Sequence, residues 1–288
     1  MSKFLEDFRD YIKGTGKNVL SIAEIKGDGE PESLELQSVS RCQDVYSVAK
    51  AFAVTAVGFL VDEGKLSVDA TITELLGEDC PEGYQPLWEK TTLDMVMRHH
   101  IGLPLGFLDI DGEDALSFGK DYLAYMMRYP LSKEPGLEHC YTDAAYYLVS
   151  RIVEKYAGKT MDNFLWERLF LPLEFYEAAW SHCPMGHAMG ATGLYIRVED
   201  MVKLGALYMY GGVWKGTRLL SEEWVNTVLT RGYELNYAGF SGCYGKGGMA
   251  GQMLLVVTKE QRVVAWQSYD GSSFTDLIKF AAEYHEDN

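Results

Sequence analysis

The sequence lacks any long uninterrupted hydrophobic run. Its longest apolar stretch, residues 49–61, is broken by Lys50, whereas a membrane-crossing helix needs about 20 apolar residues. The first residues alternate charged with apolar side chains and contain no hydrophobic core of a secretory signal. We therefore expect no membrane partner, and a cytoplasmic location unless a leader was removed from the chain.

Cysteine is scarce and irregularly placed. There are five cysteines, an odd number with no CxxC pair, which favours reduced thiols over a disulfide framework or a zinc site. The HExxH, phosphate-loop and dinucleotide-binding motifs are absent as well. We predict that the protein needs neither a metal nor an organic cofactor.

Positive charge is also in deficit. Lys and Arg total 26 against 42 Asp and Glu, which gives a net charge of −16 at pH 7, and no local basic patch offsets it. Such a surface repels a polyanion. We expect no nucleic-acid partner, and a small molecule as the substrate.

The apolar residues that are present, 47% of the 288, are enough for a large core. Strand-like patterns lie near the two ends of the chain, at 19–25, 34–39, 253–258 and 262–267. The middle of the chain has helical patterns and few strands. The simplest fold is therefore α+β, an antiparallel sheet flanked by terminal helices with an inserted mostly helical region. We assign residues 1–65 and 190–288 to the sheet region and 66–189 to the all-α region of one compact two-lobed unit.

Apolar residues at helical spacing predict the individual helices. The terminal helices span residues 3–15 and 274–284, and Ser221 is the predicted N-cap of a helix that ends at residue 230. The other predicted helices are 46–63, 72–76, 93–99, 115–128, 144–156, 161–170 and 199–210.

Ser47 and Lys50 lie three residues apart at the predicted start of the helix 46–63. Residues at this spacing share one face of a helix, and a serine hydroxyl needs a base to become a nucleophile. The SxxK spacing is typical of serine acyl-transfer enzymes that use no histidine as the base. Because the neighbours of Lys50 are apolar, we expect this lysine to be half buried, which favours its neutral, proton-accepting form.

Other patterns compete with this pair. Ser117 and Lys120 form a second SxxK, but acidic residues surround them and indicate surface ion pairs. His99 and His100 are consecutive and diverge on a helix, so a structural role is favoured over a metal or base pair. Residues 239–243 fail the GxSxG pattern at the last position, which disfavours an α/β-hydrolase. The alternative for Ser47 is that it has no catalytic role and is an ordinary serine in the first turn of a helix.

Four further segments follow the SxxK pair in a recognisable order. Residues 98–104 read RHHIGLP, 141–143 read YTD, 190–205 begin with GATGLY, and 246–248 read KGG. They are similar to the THxSGLP, YxN, GxxGLYxTxxDxxxxG and KTG or HxG segments of one family. The sequence resembles the serine β-lactamase and penicillin-binding-protein superfamily, nearest to its class C β-lactamase and related esterase branch. This resemblance implies a β-lactamase-like fold.

The resemblance also implies roles for individual residues. Ser47 would be the nucleophile, with Lys50 and Tyr141 as its catalytic partners. Two cations, Lys50 and Lys246, would favour the ionised, phenolate form of Tyr141. In that form the tyrosine could take the serine proton. The backbone N–H groups of Ser47 and Met249 would form the oxyanion hole.

Two positions on the substrate-binding side depart from the family pattern. Asp143 replaces an asparagine; an ionised carboxylate cannot donate a hydrogen bond, and beside Lys50 it would keep this lysine charged and shift the base role to the tyrosine. Gly247 lacks the hydroxyl that helps to bind a substrate carboxylate, which leaves Lys246 to do so alone. Gly248 leaves the strand edge open to substrate.

The function implied is that of a serine hydrolase that cleaves an amide or ester, a β-lactam or a small ester, through an acyl-serine intermediate. Two alternatives stay open. One is a D-amino-acid peptidase or transpeptidase-like enzyme. The other, motivated by Asp143 and Gly247, is a penicillin-binding or sensing module that does not turn over.

Overall fold

A computed structural model describes residues 1–285. The helices are α1 (Lys3–Thr15), α2 (Ala49–Asp62), α3 (Ile72–Leu76), α4 (Leu93–Met97), α5 (Tyr122–Arg128), α6 (Asp143–Ala157), α7 (Met161–Leu165), α8 (Val198–Met209), α9 (Glu222–Arg231) and α10 (Thr275–Glu283). The strands are β1 (Val19–Lys26), β2 (Glu32–Glu35), β3 (Gln43–Asp44), β4 (Ala178–Trp180), β5 (Leu194–Ile196), β6 (Val213–Trp214), β7 (Thr217–Arg218), β8 (Asn236–Tyr237), β9 (Cys243–Gly247), β10 (Met253–Val257) and β11 (Arg262–Ser268). Within these described residues, every helix is too short or too polar to cross a membrane.

The chain divides into two compact units. The first contains residues 1–51, 168–179 and 194–288, and the second contains residues 52–167 and 180–193. These bounds differ from those that we assigned from the sequence, because residues 52–65 and 190–193 belong to the second unit and 168–179 to the first.

The first unit is built on a six-stranded antiparallel sheet with the strand order β2-β1-β11-β10-β9-β8. Each predicted pair of strands forms. Ile22 of β1 lies opposite Leu34 of β2, and Leu255 of β10 lies opposite Val264 of β11. β1 and β11 are neighbours in the interior of the sheet, so a strand near the start of the chain pairs with one near its end. The α+β fold with an antiparallel sheet is confirmed, although β2 begins and ends earlier than the predicted strand 34–39.

Helices cover both faces of this sheet. On one face α1 and α10 enclose an apolar core, in which the Phe8 ring lies 5.6 Å from the Trp266 ring. On the other face α8 lies so close that a Cβ at Gly205 would be 2.4 Å from Val263 Cγ1 and 3.0 Å from Leu254 Cδ1. Glycine is therefore required where this helix crosses the sheet.

The second unit is helical, and α6 is buried along most of its length. The Tyr146 hydroxyl donates to the Met97 carbonyl at 2.9 Å, and the Ser150 hydroxyl donates to the Ala188 carbonyl at 2.6 Å. These two bonds join α6 to α4 and to the segment 180–193.

Two of the predicted helices are interrupted. The predicted helix 115–128 is a 3₁₀ turn, Ala115–Phe118, followed by α5, because Gly119 takes a left-handed φ of 71° and Asp121 caps a new helix. The predicted helix 161–170 changes at Trp166 from an α-helix into a π-helical turn, Trp166–Phe170. Ser221 is the N-cap of α9, as predicted, and accepts a hydrogen bond from the Trp224 N–H.

Candidate active site

Ser47 lies in a 3₁₀ turn, Tyr46–Val48, that leads directly into α2. The predicted position inside the first turn of the α-helix is therefore wrong. Tyr46 has a φ of 46°, a left-handed conformation that is uncommon for a residue with a side chain. Its N–H donates to Asp44 Oδ1 at 2.8 Å, and this bond from a short aspartate side chain fixes the turn. Such strained backbone is concentrated at functional sites.

Lys50 lies on the first turn of α2 and its Nζ donates to Ser47 Oγ at 2.9 Å. The predicted contact between the two residues is thus present. Lys50 is 0% exposed and not half buried, because α2 is apolar on all sides and leaves no solvent-facing stripe at this point. A buried amine within hydrogen-bond distance of a hydroxyl can accept its proton or stabilise its alkoxide.

The end of β9 contacts the turn that carries Ser47. A Cβ at Gly248 would lie 2.8 Å from the Val45 carbonyl oxygen and 2.5 Å from Gln252 Oε1, so only glycine allows this approach. Met249 follows with its side chain largely exposed. Within residues 1–285 its backbone N–H donates to no acceptor, as the predicted role in an oxyanion hole requires.

Lys246 forms a buried ion pair with Glu234, a residue that we did not predict. Lys246 is 8% exposed and Glu234 is 2% exposed. Glu234 lies between α9 and β8, and because Asn236 of β8 pairs with Gly245 of β9, the chain just before β8 runs beside Lys246. We expected Lys246 to bind a substrate carboxylate without help from another residue. The structure instead places a buried carboxylate beside this lysine.

Tyr141 lies in the second unit, against a buried histidine. Its ring centroid is 4.4 Å from that of His99, which takes a left-handed φ of 59°. His99 Nδ1 accepts from the Thr142 N–H at 3.3 Å, and the His99 carbonyl accepts from the Cys140 N–H at 2.8 Å. His99 thus anchors the backbone on both sides of the tyrosine. These bonds give it the structural role that its sequence context favoured.

Asp143 begins α6 in the second unit and is buried. Its carboxylate and those of Asp109 and Asp111 place one oxygen each within 4.8 Å of the others, so these three residues could hold a cation. The Thr192 hydroxyl donates to Asp111 Oδ2 at 2.5 Å. No local pattern predicts this acidic cluster, because Asp109 and Asp111 lie far from residue 143 along the chain.

Within the first unit Lys50 contacts Ser47, and β9, which carries Lys246, contacts the turn of Ser47 together with Gly248. The assignment of Tyr141 and Asp143 to the same site stays a prediction.

Comparison with known proteins identifies the family. Residues 42–277 match the family model described as Beta-lactamase, which covers most of the chain. The chain therefore belongs to the β-lactamase and penicillin-binding-protein superfamily, as its motifs predicted.

Individual relatives support the same assignment. The N-acetylmuramyl-L-alanine amidase of Bacillus subtilis (strain 168) is 30% identical over 153 residues, which are 50% of this chain and 34% of that protein. The 6-aminohexanoate-dimer hydrolase of Paenarthrobacter ureafaciens is 23% identical over 218 residues, 70% of this chain and 54% of that protein. The chain thus spans only part of the length of these curated relatives.

A solved structure shares the fold. The octameric penicillin-binding protein homologue from Pyrococcus abyssi superposes with a TM-score of 0.74 at 18% identity, and covers 97% of this chain and 76% of its own. At this level of identity the likeness concerns the fold alone.

Proposed function

We propose that this protein is a serine hydrolase that cleaves a small amide or ester through an acyl intermediate on Ser47. The observation that carries the proposal is the 2.9 Å hydrogen bond between Ser47 Oγ and the Nζ of a completely buried lysine. A hydroxyl paired in this way with a buried amine at a strained turn is suited to become a nucleophile.

The proposed reaction has two halves. Ser47 Oγ attacks the substrate carbonyl as its proton passes to the base, and the backbone N–H groups of Ser47 and Met249 receive the developing oxyanion. The carbon–nitrogen or carbon–oxygen bond of the substrate then breaks, and the leaving group takes the proton. In the second half water attacks the acyl-serine, the proton of the water passes through the base to Ser47 Oγ, and the acid is released. Tyr141 is our proposed base, and Lys50 organises the nucleophile.

The names of the relatives favour an amide among the candidate bonds. One is an amidase and another hydrolyses a 6-aminohexanoate dimer. A small amide is thus the first substrate class to test, with esters and β-lactams beside it. Hydrolysis of a D-amino-acid peptide is a narrower version of the same proposal.

Intact-protein mass spectrometry tests the proposal directly. The protein is mixed in turn with p-nitrophenyl butyrate, a D-alanine p-nitroanilide and a chromogenic β-lactam, while colour release is followed. We expect repeated turnover with at least one reagent and a transient acyl adduct that maps to Ser47. An adduct that persists without turnover would instead support a sensing module. No reaction with any of the three would contradict both.

Tyr141→Phe tests the proposed base. Loss of a general base typically lowers the rate about 10²–10⁴-fold, so we expect kcat for the best substrate to fall in this range. Tyr125→Phe, on α5 of the same unit, is the matched control, because the Tyr125 hydroxyl makes no hydrogen bond within residues 1–285. Equal activity of the two variants would remove Tyr141 from the mechanism.

A further inference from the structure

We propose that Glu234 makes this site select uncharged substrates over those that carry a carboxylate. The inference rests on the proposed function, because it concerns the substrates of the same site. Lys246 is the cation that would otherwise attract a carboxylate, and Glu234 occupies it with a negative charge. The predicted substrates are therefore neutral amides and esters.

The burial of Lys246 and Glu234 strengthens the selection against substrates that carry a carboxylate. The side chain of Lys246 is 9% exposed and that of Glu234 is 3% exposed. Water screens such a pair poorly, so each charge acts strongly on its surroundings. An incoming carboxylate would meet an ammonium whose charge is already balanced, and would lie close to a second carboxylate. Like charges placed together in a site are a common means of rejecting the wrong partner.

Backbone hydrogen bonds define the conformation of the chain at Glu234. The residue has a φ of 65°, and its N–H donates to the Gly232 carbonyl at 2.9 Å. The next N–H, of Leu235, donates to the carbonyl of Tyr233, a residue that is completely buried. Two successive tight turns therefore fix the backbone at Glu234, and the ion pair with Lys246 holds its carboxylate. A left-handed conformation at a residue with a side chain persists only where the surroundings enforce it.

The neighbouring glycine removes a further source of attraction for a carboxylate. Gly247 follows Lys246 on β9 and offers no hydroxyl. This is not forced by crowding, because a Cβ there would meet its nearest atoms, the Gln252 carbonyl oxygen and Met253 Sδ, at 3.6 and 3.7 Å. The strand has room for a hydrogen-bonding side chain and does not carry one.

A matched pair of esters tests the inference by kinetics. The acyl groups of p-nitrophenyl butyrate and p-nitrophenyl hydrogen succinate have the same chain length, but only the second carries a carboxylate. We expect the native protein to show a kcat/KM at least about 10-fold higher for the neutral ester. In Glu234→Gln this ratio should fall about 10-fold, chiefly through a lower KM for the anionic ester. Glu223→Gln, an exposed glutamate on α9, should leave the ratio unchanged.

Two kinetic outcomes would overturn the inference. The first is a native protein that prefers the anionic ester, which needs no variant to observe. The second is an unchanged ratio in Glu234→Gln; if both esters lose activity equally, Glu234 only supports the fold.

A binding measurement separates this inference from the proposed function. In a Ser47→Ala background no acylation occurs, and benzoate and benzamide can be titrated as probes by NMR. Adding Glu234→Gln should tighten benzoate binding about 10-fold and leave benzamide unchanged. That result would support the charge selection even if the hydrolysis assays failed. Unchanged benzoate binding would overturn it even if they succeeded.

Discussion

Ser47→Ala is expected to lower kcat for the best substrate by more than about 10³-fold, the loss typical of a removed catalytic nucleophile. The variant keeps Lys50 and the strained turn but has no oxygen to form the acyl bond. Its adduct in the mass spectrum should disappear together with turnover. Because the Ser47 side chain is small and partly exposed, the melting temperature should stay close to that of the native protein.

Ser117→Ala is the matched control, since Ser117 and Lys120 form the other SxxK of the chain. In the structure this second pair lacks the geometry of the first. Both residues are exposed, and Gly119 between them has a φ of 71°, so they do not share one helical face. We expect full activity. If Ser117→Ala were inactive and Ser47→Ala active, the nucleophile would have been assigned to the wrong serine.

The contrast between these two serines shows what the sequence could predict about the site. The contact of Ser47 with Lys50 is local, and a spacing of three residues was sufficient to predict it. The burial of Lys50 was underestimated because it depends on what packs around α2. The pairing of Glu234 with Lys246 depends on the register of β8 against β9, which no local pattern encodes.

The strands of the fold also divide into those that a local pattern predicts and those that depend on pairing with distant residues. The pairs β1–β2 and β10–β11 were predictable because in each case two strand-like runs flank a short segment that suits a turn. β9 was missed as a strand, since the segment CYGKG has two glycines and a lysine and resembles a loop. Its strand conformation comes from pairing with β10 on one side and β8 on the other.

Glu24→Ala is expected to have the largest effect on stability. Arg262 Nε donates to Glu24 Oε1 at 2.6 Å, and the two residues are 0% and 2% exposed. The Ser2 hydroxyl also donates to Glu24, and the Arg262 guanidinium lies 4.6 Å from the Phe4 ring centroid and donates to the Tyr284 carbonyl at 3.1 Å. This one pair therefore connects the sheet with α1 and with the chain that follows α10.

Removing only the carboxylate breaks a buried ion pair by taking away one partner, which typically costs about 3–5 kcal/mol. Urea unfolding should show this loss as a lower midpoint with an unchanged slope. Glu35→Ala is the control, because Glu35 also pairs with an arginine, Arg41, but both side chains are about half exposed. That pair should be worth less than about 1 kcal/mol.

The double variant Glu24→Leu/Arg262→Met identifies the cause of the loss. If the cost comes from an uncompensated buried charge, replacing both partners with apolar side chains should recover much of the stability. If Glu24→Ala and the double variant were equally unstable, the specific hydrogen bonds to Ser2 and Tyr284 would be the more important contribution. A loss below about 1 kcal/mol in Glu24→Ala would mean that water reaches Arg262, contrary to its complete burial in the structure.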